Sequence, residues 1–328
     1  MDKVARFPPD QRRDLFSETA AKMGMTPAVA EKDFWVTWIL DRLFREPKLA
    51  RLLMFKGGTS LSKVYRLIER FSEDIDLILD WRVLNGEDPL AVRSKSKQAK
   101  LNDAIDVAAL TYIGGPFLEL VAAAMDGVCT CQVDAHDPHV IAVNYPAAFS
   151  AAYLRPEVRL EIGPLASWLP HEDRKIGCYA AEMFPTVFER RESSVRVIKA
   201  ERTFWEKATI LHHEAYRPEG SPQPPRYSRH YYDLAKMAGA PVKALALADT
   251  ELLASVVAFK QRFYPRGWAR YELAKPGSLR LVPSGTVRAT VEADYRAMAE
   301  MIFGDRPAFA DILTILHGLQ EEINRTAT

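Results

Sequence analysis

The feature that most constrains the fold of this chain is a short apolar run that ends abruptly in two glycines. Leu52 to Phe55 has the composition of a buried strand, and Lys56-Gly57-Gly58 follows it at once, so the backbone must turn sharply there. Thr59 can cap a following helix, which the residue spacing extends to Arg70. A second β-rich run, Ile75 to Leu79, comes after a polar turn. The order strand, glycine turn, helix, strand predicts a sheet with a helix packed beside it.

Two carboxylates stand at the start of the second run. Asp74 and Asp76 are two residues apart, and on a strand this spacing points both side chains to one face. Neighbouring carboxylates repel each other and need a cation, and hard oxygen ligands suit Mg²⁺ or Mn²⁺. The glycine turn lets the backbone approach a phosphate closely, and the helix it opens would offer N–H groups to that phosphate. The combination indicates nucleotide chemistry, in which metal ions stabilise an in-line phosphoryl displacement.

Composition restricts the class of protein. The chain has 328 residues, 48% hydrophobic and 27% charged, which is ordinary for a globular protein and long enough for two domains. The 44 basic and 43 acidic residues leave a formal charge of +1, so a polyanionic partner must be bound by a local patch. Three cysteines are too few for a disulfide framework. The charged N-terminus lacks a secretory signal, and the uncharged stretch from Pro138 to Leu154 is a poor membrane span. We therefore expect a cytoplasmic protein without a membrane partner.

The pattern along the chain predicts a sheet-containing domain over residues 1–195 and a mostly helical domain over 196–328. The first fifty residues and the region from Lys199 onward have helical spacing. Further elements are a long helical region broken by glycine and proline, four β-like runs, a loop and two closing helices: Arg93 to Met125, broken near Gly114-Gly115-Pro116; Gly127 to Val133, Val140 to Tyr145, Glu157 to Ile162 and Val195 to Ile198; Arg217 to Tyr227; Thr286 to Ile302 and Ala308 to Asn324.

The segment KGGTSLSKVYRLIERFSEDIDL, residues 56–77, resembles the signature of the AbiEii/AbiGii nucleotidyltransferase toxin family. Members of that family are toxins of type IV-style toxin–antitoxin and abortive-infection systems. The resemblance implies an α+β (mixed α/β) fold with a polymerase β-like nucleotidyltransferase sheet flanked by helices. It places Gly58-Thr59 at the family's Gly-Ser position and Asp74 and Asp76 at its metal-binding pair. Lys56, Gly57 and Ser72 complete the nucleotide-binding residues that it implies in this segment.

The resemblance continues downstream. A third metal-binding carboxylate is expected on a neighbouring strand, where Glu161 in Val158-Arg159-Leu160-Glu161-Ile162 is the best match; the alternative is a solvent-facing glutamate. Glu201, Glu206 and Lys207 match a family helix, and Arg229 to Leu234 matches a segment that ends in a functional aspartate, Asp233. The resemblance implies that Lys207 and Arg229 bind nucleotide phosphates, and that Asp233 orients Lys207 or the nucleophile. The alternative is an ordinary ion pair between Lys207 and Asp233 on two helices.

The implied activity is Mg²⁺-dependent transfer of a nucleoside monophosphate from an NTP to a hydroxyl group, with release of pyrophosphate. The implied acceptor is the 3′ end of tRNA, whose extension would stop translation. A cognate antitoxin, often a DNA-binding regulator, would be encoded alongside. Two alternatives stay open, namely transfer to a Ser, Thr or Tyr hydroxyl of a protein and a non-catalytic nucleotide-binding protein of the same fold.

Other patterns carry less information. Basic and aromatic residues alternate from Phe259 to Tyr271, which suits the backbone and bases of single-stranded RNA. Two further basic runs, Arg93 to Lys100 and Arg190 to Arg196, could do the same, and all three could equally be solvated faces. Cys129-x-Cys131 lies near His136 and His139, but the two cysteines are closer than in a usual zinc site, so we expect no zinc there.

Overall fold

The computed structural model describes residues 1–72, 74–150, 155–283 and 285–326. Glu73 of the sequence motif, and residues 151–154 at the end of the uncharged stretch, lie outside these ranges. The chain divides into two compact units. Unit 1 comprises Met1–Val64 and Ser72–Ile198, and unit 2 comprises Tyr65–Phe71 and the chain from Lys199 onward. The short segment 65–71 therefore belongs to unit 2, although both of its chain neighbours belong to unit 1.

Unit 1 is built on a seven-stranded mixed sheet within the described residues. Its strands are β1 (Leu53–Lys56), β2 (Asp74–Leu79), β3 (Thr130–Val133), β4 (Val140–Asn144), β5 (Glu157–Gly163), β6 (His171–Gly177) and β7 (Glu192–Ile198). The order across the sheet is β3-β4-β5-β2-β1-β7-β6. The pairs β2–β5 and β1–β7 are parallel, and the other neighbours are antiparallel. The mixed α/β fold predicted from the sequence is confirmed.

Helices cover the sheet of unit 1. They are α1 (Asp2–Ala5), α2 (Pro9–Met23), α3 (Pro27–Arg45), α4 (Pro47–Leu52), α5 (Gly57–Lys63), α6 (Lys95–Tyr112), α7 (Leu118–Ala124) and α8 (Tyr179–Met183). Among the long helices of unit 1, α3 is the most buried. Thr26, its N-cap, accepts a hydrogen bond from the Val29 N–H, and Pro27 occupies the first turn. Trp35 and Trp38 of α3 are almost completely buried, and such large rings contribute strongly to core stability.

Unit 2 consists mostly of helices in the residues that the structure describes. Its helices are α9 (Ala200–Glu214), α10 (Arg229–Ala238), α11 (Val242–Leu247), α12 (Thr250–Phe263), α13 (Gly285–Ala297) and α14 (Phe309–Arg325). The segment 65–71 joins them through its backbone. Arg70 forms an antiparallel bridge with Ile302, and the Phe303 N–H donates to the Glu69 carbonyl at 3.0 Å. Gly304 lies so close to the Glu69 side chain that a Cβ there would meet it at 2.4 Å.

The structure corrects the predicted helix after the glycine turn. The sequence spacing extended it to Arg70, but α5 ends at Lys63. Glu69 to Phe71, at and just after the end of the predicted helix, pair with the 301–304 segment instead. The strand β6 was missed, since the sequence HEDRKIG of residues 171–177 is charged and mostly exposed, as befits the edge of a sheet.

The long helical region of unit 1 breaks where the sequence predicted. A π-helical turn, Ile113–Phe117, joins α6 to α7, and Gly115 within it has the non-helical angles φ −125° and ψ −106°. In the described part of the chain, Lys95–Ala124 is the one helical stretch that is long and apolar enough to cross a membrane by length and composition. Only 28% of its most apolar window is buried within the protein.

Candidate functional site

Three carboxylates share one face of the unit 1 sheet, and we call this arrangement the carboxylate face. Asp74 and Asp76 lie two residues apart on β2, so their side chains point to the same side. Asp76 is directly opposite Glu161 of the parallel strand β5 and opposite Lys56 of the antiparallel strand β1. Asp74 is opposite Arg159. The register therefore places Glu161 beside the predicted pair. Each aspartate also has a basic residue opposite it on a neighbouring strand.

The carboxylate face is polar at the start of β2 and apolar farther along the strand. On β5 the residues of this face are half-buried, whereas Leu160 and Ile162 on the other face are buried. Two residues beyond Asp76, Ile78 packs with Met54 in a buried apolar cluster. The polar groups are thus confined to the first half of β2, where they remain accessible to a ligand.

Position 57 requires a glycine because the Asp76 carboxylate lies against its backbone. Its φ of +81° lies in the left-handed region, which glycine enters without steric cost. A Cβ at this position would lie 1.9 Å from Asp76 Oδ2, so the carboxylate rests directly against the Gly57 backbone. The sequence predicted a close approach at this turn, and the contact in the structure is made with a carboxylate of the predicted metal pair.

Thr59 has a different local role from the one predicted. The N-cap of α5 is Lys56, with no side-chain cap, and Thr59 lies inside the helix. Its side chain is buried, and its hydroxyl donates to the Asp74 carbonyl oxygen. Thr59 therefore ties α5 to the first residue of β2, which fixes the start of the strand that carries both aspartates.

The far end of α5 is anchored by a buried ion pair. Lys63 Nζ lies 2.5 Å from Asp33 Oδ1 of α3 and donates to the Gly177 carbonyl at 2.9 Å. The other oxygen of Asp33 accepts the Tyr179 N–H at 2.8 Å. Both side chains of the pair are at most 7% exposed. This network holds α5, and with it the glycine turn, against α3 and the β6–α8 connection.

The donor chemistry of the carboxylate face fits Mg²⁺. Among the residues that the structure describes, no three Asp, Glu, His or Cys side chains converge into a preformed metal cluster. Mg²⁺ does not need one, because it is usually held by one or two carboxylates together with waters and substrate phosphates. Asp76 and Glu161 side by side supply hard oxygen ligands of that kind. Ser72 is half-buried in the connection to β2.

Unit 2 contains a buried cluster of one acid and two bases, which we call the Asp233 triad. Asp233 of α10 is completely buried. Its Oδ2 lies 2.6 Å from Lys207 Nζ of α9, and Arg70 binds both of its oxygens, with Nε–Oδ1 at 2.6 Å and Nη2–Oδ2 at 2.8 Å. The structure thus brings Lys207 and Asp233 together, as both interpretations of the sequence required.

The charges of the Asp233 triad are strongly coupled. Burial alone would raise the pKa of Asp233, but the charges of Arg70 and Lys207 outweigh it and hold that pKa below its ordinary value. Burial lowers the pKa of Lys207, against the attraction of Asp233. His230 Nδ1 lies 3.5 Å from Lys207 Nζ, and burial followed by the Lys207 charge lowers the pKa of His230 well below its ordinary value. A neutral His230 beside the ammonium avoids adding a third cation. The positive charge of Arg229, the first residue of α10, also lowers the pKa of Lys207.

Arg70 is the member of the triad that sequence reasoning missed. It lies within the recognised motif, four residues before Asp74, but a single arginine in a motif does not indicate a partner 163 residues away. Arg70 is buried in the folded protein, with 3% exposure, and its guanidinium binds both carboxylate oxygens of Asp233. The signal that could have identified it is its position inside the recognised motif, where the sequence pattern gave it no role.

The cysteines and histidines of the β3–β4 hairpin do not gather around one point. His139 Nε2 lies 2.9 Å from Asp106 Oδ1, and Cys129 is buried. Burial raises the pKa of the Cys129 thiol to about 12.

The family model described as "Nucleotidyl transferase AbiEii toxin, Type IV TA system" matches residues 38–315. Among solved structures, MenT4, a nucleotidyltransferase toxin from Mycobacterium tuberculosis H37Rv, is similar at a TM-score of 0.45 and 18% sequence identity, over 95% of this chain and 97% of that chain. No curated protein matches. The matched residues make up far more than half of the chain. The chain therefore belongs to the AbiEii family of nucleotidyltransferase toxins of type IV toxin–antitoxin systems.

Proposed function

We propose that the carboxylate face of unit 1 is the centre of nucleotidyl transfer. The observation that carries this proposal is the register of Asp76 with Glu161 across parallel strands, together with the contact of the Asp76 carboxylate with Gly57. Acidic oxygens and the glycine turn are thereby within one small region. This is the combination that metal-assisted phosphoryl transfer needs.

The residues of this face have distinct proposed roles. Asp74 and Asp76, with Glu161, would hold Mg²⁺ or Mn²⁺, which would neutralise charge on the phosphates when bound. The backbone of Gly57 and Gly58, with the Lys56 ammonium, would bind the triphosphate. Thr59 would act through Asp74, whose carbonyl it binds, and Ser72 would contribute from the adjoining connection.

In the proposed reaction, a hydroxyl oxygen of the acceptor attacks the α-phosphorus of an NTP. The bond from the α-phosphorus to the bridging oxygen breaks, and pyrophosphate leaves with the electron pair. The hydroxyl proton passes to solvent or to a carboxylate of the face. We propose the 3′ end of an RNA, with tRNA as the favoured molecule, as the acceptor, and the cytoplasm as the place of action. The family implies an antitoxin partner.

Lys207 and Arg229 are proposed to bind the nucleotide phosphates, and Asp233 to orient Lys207 or the nucleophile, as the sequence resemblance implies. A lysine contributes to phosphate binding as a compact point charge, and Asp233 at 2.6 Å fixes the position of that charge. Lys207→Ala should reduce NTP use, and Lys207→Arg should restore it only in part. Full transfer by Lys207→Ala at saturating NTP would leave the lysine with the structural ion-pair role alone.

The test of the proposed function is incubation with each α-³²P-labelled NTP, Mg²⁺, total RNA and soluble cell protein. We expect label in the RNA fraction, and sequencing of RNA 3′ ends should then show added nucleotides. Label in the protein fraction alone would replace RNA by a protein hydroxyl as acceptor. Absence of label from both fractions, with nucleotide binding intact by calorimetry, would reject catalysis.

A further inference from the structure

We propose that a second surface, in unit 2, binds single-stranded RNA. The arginine–aromatic surface consists of two rings, Tyr216 and Trp268, and four arginines stacked on them, Arg217, Arg266, Arg270 and Arg280. This inference deepens the proposed function and rests on its RNA acceptor. The alternating basic and aromatic residues of the 259–271 stretch supply three of these six residues. Of the other three, Tyr216 and Arg217 lie just after α9, and Arg280 lies shortly after the stretch.

The first half of the surface is centred on Tyr216, which is half-buried at the end of α9. The guanidinium carbon of Arg280 lies 4.8 Å from the centroid of the Tyr216 ring, and that of Arg270 lies 5.8 Å from it. Both arginines are exposed. These distances lie within the range of cation–π attraction, so the ring holds two cations at the protein surface.

The second half has the same construction around Trp268. Arg217 lies 4.9 Å and Arg266 lies 5.7 Å from the centroid of the Trp268 ring. The ring of His213 meets Trp268 edge-on, with centroids 5.5 Å apart. Trp268 is half-buried, and Arg266 is exposed. The buried His213 therefore packs against the indole of Trp268, and the guanidinium groups of Arg217 and Arg266 lie near the same ring.

A buried histidine also fixes the backbone beneath the surface. His212 is completely buried. Its Nε2 lies 3.0 Å from the Arg270 carbonyl oxygen, and its Nδ1 accepts the Arg280 N–H at 3.1 Å. These two bonds require a neutral imidazole that donates from Nε2, and burial lowers the pKa of His212 accordingly. One side chain thus joins the two segments that carry Arg270 and Arg280, so the rings and cations are already in place before a ligand arrives.

The charge of the surface is not fully neutralised by the protein. Arg217 is paired with the buried Glu214 at 2.6 and 2.7 Å, and Arg270 with the exposed Glu272 at 2.5 Å. Among the described residues, neither Arg266 nor Arg280 has a carboxylate within ion-pairing distance. In a chain whose formal charge is only +1, such a patch is the local positive site that a polyanion requires.

Single-stranded RNA is the ligand that this chemistry fits. Unpaired bases stack on aromatic rings and on the planes of guanidinium groups, while phosphates bind the cations. The bases of a duplex are stacked inside the helix. A duplex could therefore bind the positive charges of the surface but could not stack its bases on the rings and guanidinium groups. The unpaired 3′ terminus of an acceptor RNA offers both phosphates and exposed bases.

The experiment measures binding of a fluorescein-labelled 12-nucleotide single-stranded RNA by anisotropy, with EDTA and without NTP. The double variant R266Q/R280Q removes the two cations that have no carboxylate partner. We expect its Kd to rise about tenfold at 0.1 M salt, and the slope of log K against log salt to fall by about 1.4, because each single-strand phosphate contact contributes about 0.7. Circular dichroism establishes that the variant is folded.

The matched control is R288Q/R296Q, which removes two exposed arginines of α13 in the same unit, and it should bind like the wild type. Equal loss in both double variants, or none in either, would overturn the inference. So would binding of an RNA duplex as tight as that of the single strand. Because the assay contains no NTP, it decides this inference separately from the proposed function. If the wild type transfers nucleotides to RNA while R266Q/R280Q binds normally, only the surface assignment fails.

Discussion

Replacement of Arg70 by Met tests whether the Asp233 triad holds unit 2 together. The substitution keeps much of the apolar length of the side chain and removes the guanidinium that binds both oxygens of Asp233 at 2.6 and 2.8 Å. Asp233 is completely buried and Arg70 is 3% exposed, so water cannot replace the lost partner. The variant leaves a buried carboxylate that is neutralised by Lys207 alone.

The expected cost follows from this burial. Breaking a buried ion pair by removal of one partner typically costs 3–5 kcal/mol, since the remaining charge stays desolvated. Lys207 still lies 2.6 Å from Asp233 and compensates in part, so we expect the free energy of unfolding to fall by about 3 kcal/mol. That corresponds to more than a hundredfold change in the unfolding equilibrium.

The assay is urea denaturation of wild type, Arg70→Met, Asp233→Asn and the double variant, followed by fluorescence. A double-mutant cycle isolates the interaction between the two side chains. The control is Lys236→Met, which breaks the neighbouring Lys236–Glu69 pair at 2.9 Å. Because Glu69 is 49% exposed in that pair, its loss should cost less than about 1 kcal/mol.

The pH dependence has a definite sign. The pKa of Asp233 in the folded protein lies below its ordinary value of 3.8. The stabilisation is therefore fully present above the ordinary pKa and is lost only as the pH falls through the folded one. Without Arg70 the pKa of Asp233 rises, so the penalty of Arg70→Met should shrink as the pH falls through this raised pKa. A destabilisation by Arg70→Met no larger than that of Lys236→Met, or a coupling energy near zero, would refute this reasoning.

Three further substitutions test the carboxylate face. Gly57→Ala should destabilise the fold and abolish transfer, because its Cβ would lie 1.9 Å from Asp76 Oδ2, whereas Gly24→Ala, at φ +66° with nothing within 4 Å, carries only the cost of positive φ; thermal melts and transfer assays of both should differ in this way. Thr59→Val removes a buried hydroxyl donor and should lower the free energy of unfolding by about 1 kcal/mol, with recovery by Thr59→Ser in the same denaturation assay. Glu161→Gln should raise the Mg²⁺ concentration needed for half-maximal transfer, and an unchanged Mg²⁺ titration would remove Glu161 from the proposed metal site.

The elements of unit 1 that could be predicted from the sequence are those with local signals. The apolar run before Lys56, the two glycines and the alternation at Asp74 and Asp76 each depend on neighbours in sequence, and β1, β2 and the turn between them follow. The pairing of Asp76 with Glu161 depends on the register of strands far apart in the chain. The family resemblance pointed to Glu161, but no spacing rule could fix that register.

The errors arose where distant contacts overrode local pattern. Residues 65–71 have helical spacing, but the backbone of this segment pairs with the 301–304 segment, so α5 ends early. The role of Arg70 depends on Asp233, which the sequence places in another region altogether. The basic–aromatic stretch was visible in the sequence, yet Tyr216 and Arg280 join it only through folding, and Phe259 packs against Phe263 with centroids 4.5 Å apart.

If Asp76 and its neighbours hold the metal for nucleotidyl transfer, the Mg²⁺-dependent transfer rate of Asp76→Asn shows it most directly. The control is Asp103→Asn, an equal change at an exposed site on α6. Loss of a metal ligand should slow transfer on the order of a thousandfold or more, while Asp103→Asn keeps the wild-type rate and both variants remain folded. Transfer by Asp76→Asn at close to the wild-type rate, with the wild-type Mg²⁺ dependence, would contradict the account.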